Sequence, residues 1–319
     1  MTRDNAWQDK KVTYEPELID CTFETLTVHF DRQMHYRVAH KGFVIEFFAF
    51  LHTGATNLLI SGQDAIQRQR DQLPYFYRWS WHRDITASFI TFNDPTLYMG
   101  DSLDAGWCQG YREVWAVEAI DNVLQRLAQL VAIGPEETVL YGISAGGFWA
   151  LMAAVCFPRC QVIVEIPQVD LLTYKDDGPR EKMIRRCYKG RSEDYISSNY
   201  STRMRVIDRW REAIHLPARV IYCQNIKDYK HTRTQMEPFW DDLSLLREQD
   251  YRFRNVEVEF HMFNRKTPKG GHVPMEKADT IALWSKLLGR GIARDIGKDC
   301  VSIEAKTPNE LKEGGRVSS

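Results

Sequence analysis

Ser144 stands in Tyr141-Gly142-Ile143-Ser144-Ala145-Gly146, a G-x-S-x-G frame with a short apolar run before it and a longer one after it. The run Thr138-Val139-Leu140-Tyr141 has the length of a buried strand, and Gly147 to Cys156 has the length of a helix. A serine on a turn between the two is lifted clear of the sheet, and the glycines leave room for a strained backbone. The first amides of the following helix have no partner inside it, so that of Ala145 could hold a developing oxyanion. The same small residues would suit a plain strand-to-helix turn, so the partners decide.

A serine hydroxyl needs a histidine to take its proton, and the histidine needs an acid to fix its tautomer. His272, in Lys269-Gly270-Gly271-His272-Val273-Pro274, follows the last strand-like stretch and is the expected base. Asp228 follows the strand that ends near Cys223 and is the expected acid, which gives the chain order serine, acid, histidine. Asp170, after the preceding strand, is the alternative acid or else a turn cap. His231, three residues past Asp228, reads as a substrate contact or as an alternative base. The second oxyanion donor is expected on Ser61-Gly62-Gln63-Asp64, at the backbone amide of Gly62 or Gln63.

These residues need a scaffold that brings strand ends together. Residues 21–50 alternate, as in Phe43-Val44-Ile45-Glu46-Phe47, and predict antiparallel strands with one buried face. Runs at 58–60, 88–92, 138–141, 162–166, 219–223 and 256–263 end in turn residues and read as central strands. Helical spacing marks 111–132, 236–249 and 275–288. Strands alternating with helices predict an α/β fold, a mostly parallel doubly wound sheet whose sites lie beyond the carboxyl ends of the strands. The organisation expected is an N-terminal extension over 1–20, a core over 21–173, a helical cap insertion over 174–215, the rest of the core over 216–295, and a polar, disordered tail over 296–319.

Composition narrows the alternatives. With 42 basic against 43 acidic residues there is no bulk charge to bind nucleic acid. No segment has eighteen uninterrupted apolar residues and the first residues are polar, so no membrane span is expected and the chain reads as soluble and cytoplasmic. Seven scattered cysteines read as reduced thiols. No metal site is expected, since Cys156 and Cys160 lack a second ligand pair and there is no H-E-x-x-H pattern. The aromatics of Leu73-Pro74-Tyr75-Phe76-Tyr77-Arg78-Trp79-Ser80-Trp81 could offer a sugar platform, with Trp79 as a substrate contact, or could simply pack.

Ser144, Asp228 and His272, with the elements around them over about residues 40 to 290, resemble the α/β-hydrolase superfamily. Pro74-Tyr75-Phe76 with Arg78-Trp79, Asp94-Pro95-Thr96-Leu97, Gly106-Trp107, Ser144-Ala145-Gly146-Gly147-Phe148, Ile166-Pro167-Gln168 and Gln224-Asn225 resemble a bacterial branch of it associated with capsular and other surface polysaccharide biosynthesis. That resemblance implies a serine triad, and in some members an O-acetyltransferase that moves acetyl from acetyl-CoA to a sugar hydroxyl. Ser61-Gly62-Gln63-Asp64 departs from the histidine-glycine loop of many lipases and esterases, so a differently lined pocket is expected.

The sequence therefore points to a serine hydrolase or acyltransferase that needs no cofactor and acts on a small ester or thioester. The specific alternative takes acetyl-CoA as co-substrate and a polysaccharide as acceptor. A hydrolase-fold binding protein with an inactive site is the non-enzymatic alternative.

Overall fold

The computed structural model describes residues 14–174, 178–268 and 270–288, together with the backbone of 301–303. Among the described residues ten strands form one sheet: β1 (Glu17–Thr22), β2 (Gln33–His40), β3 (Phe43–Phe50), β4 (Leu58–Ser61), β5 (Ser88–Asn93), β6 (Thr138–Ile143), β7 (Gln161–Glu165), β8 (Arg219–Asn225), β9 (Glu257–Phe263) and β10 (Val301–Ile303). Their spatial order is β1-β2-β3-β5-β4-β6-β7-β8-β9-β10. From β5 across to β9 every neighbour is parallel. β3 runs antiparallel to both β2 and β5.

The helices are α1 (Ala116–Leu130), α2 (Ser144–Ala153), α3 (Pro179–Cys187), α4 (Glu193–Met204), α5 (Val206–Glu212), the single turn α6 (Tyr229–His231), α7 (Glu237–Gln249), the short α8 (Tyr251–Arg254) and α9 (Lys277–Leu288). One core layer, with Val117, Trp149, Trp210 and Phe239, joins α1, α2, α5 and α7 to one face of the sheet. A second, with Trp81, Phe89 and Trp284, packs α9 and the 79–84 turn on the other. Strands β4, β5 and β6 are buried along their whole length, as a sheet covered on both faces requires. The short apolar runs follow from that double burial.

Three local readings change. Thr25 to Phe30 alternates like a strand but forms none beyond a bridge between Phe30 and Leu51. The edge strand is instead β1, which begins inside the expected N-terminal extension and runs parallel to β2. Alternation reports a half-buried extended chain, not the direction of its neighbour. The helix expected from 111 starts at Ala116, because Tyr111 and Val114 exchange both backbone hydrogen bonds in a tight turn.

The stretch 178–212 forms three helices whose side chains reach the loop after β5. Tyr188 Oη donates to Gln109 Oε1 at 2.5 Å, and Gln109 Nε2 donates to the carbonyl of Arg203 at 3.0 Å. Within the tail expected to be disordered, Val301–Ile303 pairs antiparallel with β9; 296–300 and 304–319 lie outside the described residues. Among the described residues Cys21, Cys108, Cys156, Cys160 and Cys187 are free thiols. No helix among them is long and apolar enough to cross a membrane.

Candidate active site

β6 delivers Ser144 to the start of α2, in a left-handed conformation with φ +48. A side chain on Gly142 would put its Cβ 2.1 Å from the carbonyl of Gly146, so the strand end and the first helical turn can meet only with glycine there. Every residue of α2 is buried, which makes this helix the central support of the serine.

Two other strand ends bring the remaining groups. His272 lies in the loop between β9 and α9, with Nε2 3.0 Å from Ser144 Oγ. Its Nδ1 lies 2.6 Å from Asp228 Oδ2, just beyond β8. Ser144 and Asp228 are buried, whereas the His272 side chain is 36% exposed. Burial opposes ionisation of Asp228, yet hydrogen bonds from His231 and His272 outweigh it and hold the carboxyl far below the usual carboxylate range. An ionised acceptor at this position fixes the proton of His272 on Nδ1 and leaves Nε2 free to accept.

Asp170, the alternative acid, is engaged elsewhere. Its carboxylate accepts the Leu172 and Thr173 N–H groups and pairs with Arg205 at 3.1 Å. It caps a turn and ties the residue between α4 and α5 to the loop after β7.

His231 was expected as a substrate contact or alternative base, and the structure places it in the wall behind the serine. It is buried, its Nδ1 is 3.0 Å from Asp228 Oδ1, and its ring stacks on that of His272 with centroids 4.0 Å apart. Asp228, His231 and His272 bring one nitrogen or oxygen each within 4.8 Å of one another. Both Nδ1 atoms sit at donor distance from a carboxylate oxygen, which accounts for the cluster as hydrogen bonding.

The oxyanion expectations divide. The Gly62 N–H donates to the Tyr141 carbonyl at 2.8 Å, so that amide is spent in continuing the sheet and is not a free donor. The backbone N–H of Gln63 has no acceptor among the described residues; its side-chain Oε1 accepts the Asp94 N–H at 2.5 Å. Ala145 offers its N–H at the head of α2, where it meets the half-buried carboxyl of Asp64. Burial pushes that carboxyl up to about 6, while the Ala65 N–H, His272, Arg78 and the Ala145 N–H favour its charged form.

Trp79 is not among these groups. It packs against Tyr14 and Phe48, with ring centroids at 4.8 and 5.7 Å, and lines a cavity of about 200 Å³ with Tyr14 and residues 74–80. Arg78, left-handed with φ +58, is buried, and Trp79 beside it is half-buried against the core.

Sequence reasoning assigned no role to two sets of residues. The first is Gln168, whose Nε2 lies 2.9 Å from Ser144 Oγ and whose Oε1 accepts Trp107 Nε1–H at 3.0 Å. The second is a buried ionic cluster under the His272 loop. Glu165 Oε2 accepts the Met275 N–H at 2.7 Å, and Oε1 accepts Tyr141 Oη–H at 2.6 Å and Thr280 Oγ1–H at 2.9 Å. The Arg78 guanidinium donates to Tyr141 Oη, stands 3.6 Å from Glu165 and lies over the Trp81 ring. A glutamate ending the apolar run Val162-Ile163-Val164 was the available signal, because a charge in a strand buried on both faces needs a buried partner.

No family model and no curated protein matches this sequence. By structure the fold is that of the α/β hydrolases, as the motifs led us to expect. The capsule O-acetyltransferase of Neisseria meningitidis serogroup A superposes with a TM-score of 0.57 at 16% identity, over 78% of this chain and 96% of its own. A mutant of that enzyme was solved in complex with CoA and superposes equally well, at TM-score 0.57. Prolyl oligopeptidase B from Galerina marginata aligns over 81% of this chain but 36% of its own, with a TM-score of 0.52 and 16% identity. At such identities the likeness is one of fold.

Proposed function

We propose that this protein is a serine-dependent acyl-transfer enzyme that attacks an ester or thioester with Ser144. The observation that carries this reading is the pair of distances around His272: 3.0 Å to Ser144 Oγ and 2.6 Å to Asp228 Oδ2. His272 Nε2 takes the hydroxyl proton as Oγ bonds to the acyl carbon; the amide of Gln63 holds the oxyanion, joined by that of Ala145 once the oxyanion displaces the Asp64 carboxyl from it. The tetrahedral adduct collapses, His272 passes its proton to the leaving alcohol or thiol, and an acyl-enzyme remains. Water or a second hydroxyl, deprotonated by His272, then releases the acyl group. Asp228 keeps the Nδ1 proton in place and stabilises the imidazolium.

The more specific reading is an O-acetyltransferase that takes acetyl from acetyl-CoA and delivers it to a polysaccharide hydroxyl. It is favoured by the shared fold with a capsule O-acetyltransferase, one of whose structures holds CoA. Reaction with a fluorophosphonate tests the nucleophile: folded wild-type protein is expected to be labelled and Ser144→Ala is not. An unlabelled wild type would support an inactive binding protein instead. Incubation with acetyl-CoA separates the two enzyme readings. A transferase releases CoA only when the acceptor is present; release at the same rate without it marks a hydrolase.

A further inference from the structure

The hydrogen bonds around Ser144 close into a ring, and their directions can be read from groups that have no choice. Trp107 Nε1 can only donate, so the Gln168 atom 3.0 Å from it is the amide oxygen. That fixes the flip of the amide and turns Nε2, with two hydrogens, toward Ser144 Oγ at 2.9 Å and His231 Nε2 at 3.3 Å. Asp228 as a carboxylate can only accept, so His231 carries its proton on Nδ1, 3.0 Å from Oδ1. Gln168 Nε2 can only donate, so His231 Nε2, 3.3 Å away, presents a lone pair and takes one of its hydrogens. The other goes to Ser144 Oγ. With that donation received, the serine proton has His272 Nε2 at 3.0 Å as its nearest acceptor; the competing Gln168 Oε1 is 3.4 Å away and already holds the Trp107 N–H.

We infer that Gln168, locked by Trp107 and His231, acts directly on the nucleophile: it aims the Ser144 proton at His272 and donates to Oγ as that proton leaves. The inference rests on Ser144 being the nucleophile. The step balances within the site: the Oγ–H bond breaks toward His272 Nε2 while Oγ bonds to the acyl carbon, and Gln168 keeps both of its hydrogens throughout. The same donation keeps His231 uncharged, because a proton on His231 Nε2 would face an N–H of Gln168. Burial also favours the neutral ring. This matters because His231 lies face to face with His272, whose ring gains a positive charge during the reaction. Gln168 is 1% exposed, so water cannot replace its N–H.

The test measures the rate of fluorophosphonate labelling against pH for wild type, Gln168→Met, Gln168→Glu and Trp107→Phe, each checked for folding by thermal melting. Gln168→Met fills the space without a donor and is expected to label on the order of tenfold to a hundredfold more slowly, the range for a lost hydrogen bond to a group that takes on charge. Gln168→Glu presents an acceptor when ionised and a donor when protonated. Its deficit should therefore shrink as pH falls, a change that loss of packing alone would not produce. Trp107→Phe frees the amide to flip, slowing labelling by less than Gln168→Met. Wild-type rates in folded Gln168→Met and Gln168→Glu, with wild type itself labelled, would overturn this inference alone. A wild type that is not labelled overturns the nucleophile reading and this one with it.

Discussion

The two flanks of Ser144 are built on different principles. On one side His272 stands in a loop with more than a third of its side chain in solvent. Backbone contacts and charged anchors hold it: Asn225 Nδ2 donates to the Gly271 carbonyl at 2.7 Å, Arg265 donates to the carbonyls of Pro274 and Met275, and Glu165 accepts the Met275 N–H. On the other side Gln168, His231 and Trp107 are all buried, and direct side-chain hydrogen bonds link them. The proposed base meets solvent, and the groups proposed to direct the serine proton are dry. A hydrogen bond discriminates best where water cannot substitute for it.

Asp228 accepts from both flanks, so removing its charge is the strongest way to break this division. Asp228→Asn is expected to lower the rate of acyl-enzyme formation by on the order of 10⁴, the loss seen in serine triads whose acid is made neutral. Asp170→Asn should leave that rate within a few-fold and lower the melting temperature through loss of its bond to Arg205. Rate measurement on the pair decides: a crippled Asp170→Asn beside a near-normal Asp228→Asn would reverse the assignment.

The anchor under the open flank comes next. Glu165→Gln leaves the Arg78 guanidinium buried without its counter-charge and is expected to cost about 3–5 kcal/mol, typical of breaking one partner of a buried pair. Chemical denaturation should show part of that stability restored when Arg78→Met is added. If the single variant unfolds at the wild-type denaturant concentration, the cluster does not anchor the loop.

The smallest effect concerns Asp64, on the open side beside the Ala145 N–H. Its carboxyl is raised by burial to about 6 in the folded protein, so its contribution to stability is fully present below the unfolded value of about 4 and lost as pH rises through about 6. The melting temperature of wild type should therefore fall between pH 4 and pH 7 by more than that of Asp64→Asn. Parallel curves for the two proteins would mean that Asp64 titrates normally.

Much of the open flank could be read from the sequence, because its parts carry local signals. A strand, a glycine-framed turn and a helix surround Ser144, and Asp228 and His272 each follow a strand in a parallel sheet, where sites gather. The dry flank could not be read this way. Gln168 is one amide whose function depends on Trp107, sixty-one residues away, and on His231, sixty-three residues away in the other direction. No spacing rule links them; only the fold does. The aromatic cluster around Trp79 indicated apolar surface but not which groups each ring would meet, here Tyr14 and Phe48. Gly62 misled because a strand that continues one hydrogen bond past its apolar run uses up the amide expected to be free.

Gly271 gives the open flank a further property. A Cβ there would lie 2.1 Å from the Lys227 carbonyl oxygen, so the strand-end loop bearing Asp228 and the loop bearing His272 touch backbone to backbone. Main chain therefore sets part of the span between Asp228 and His272, beside the side-chain anchors from Asn225, Arg265 and Glu165. Ile226 and Tyr229, both exposed, flank Asp228, and Thr267 and Gly270 exchange both backbone hydrogen bonds just before the contact. Those positions can be rewritten or lengthened to suit a different acceptor while the acid and base keep their spacing, which makes this rim the natural place to alter what the protein recognises.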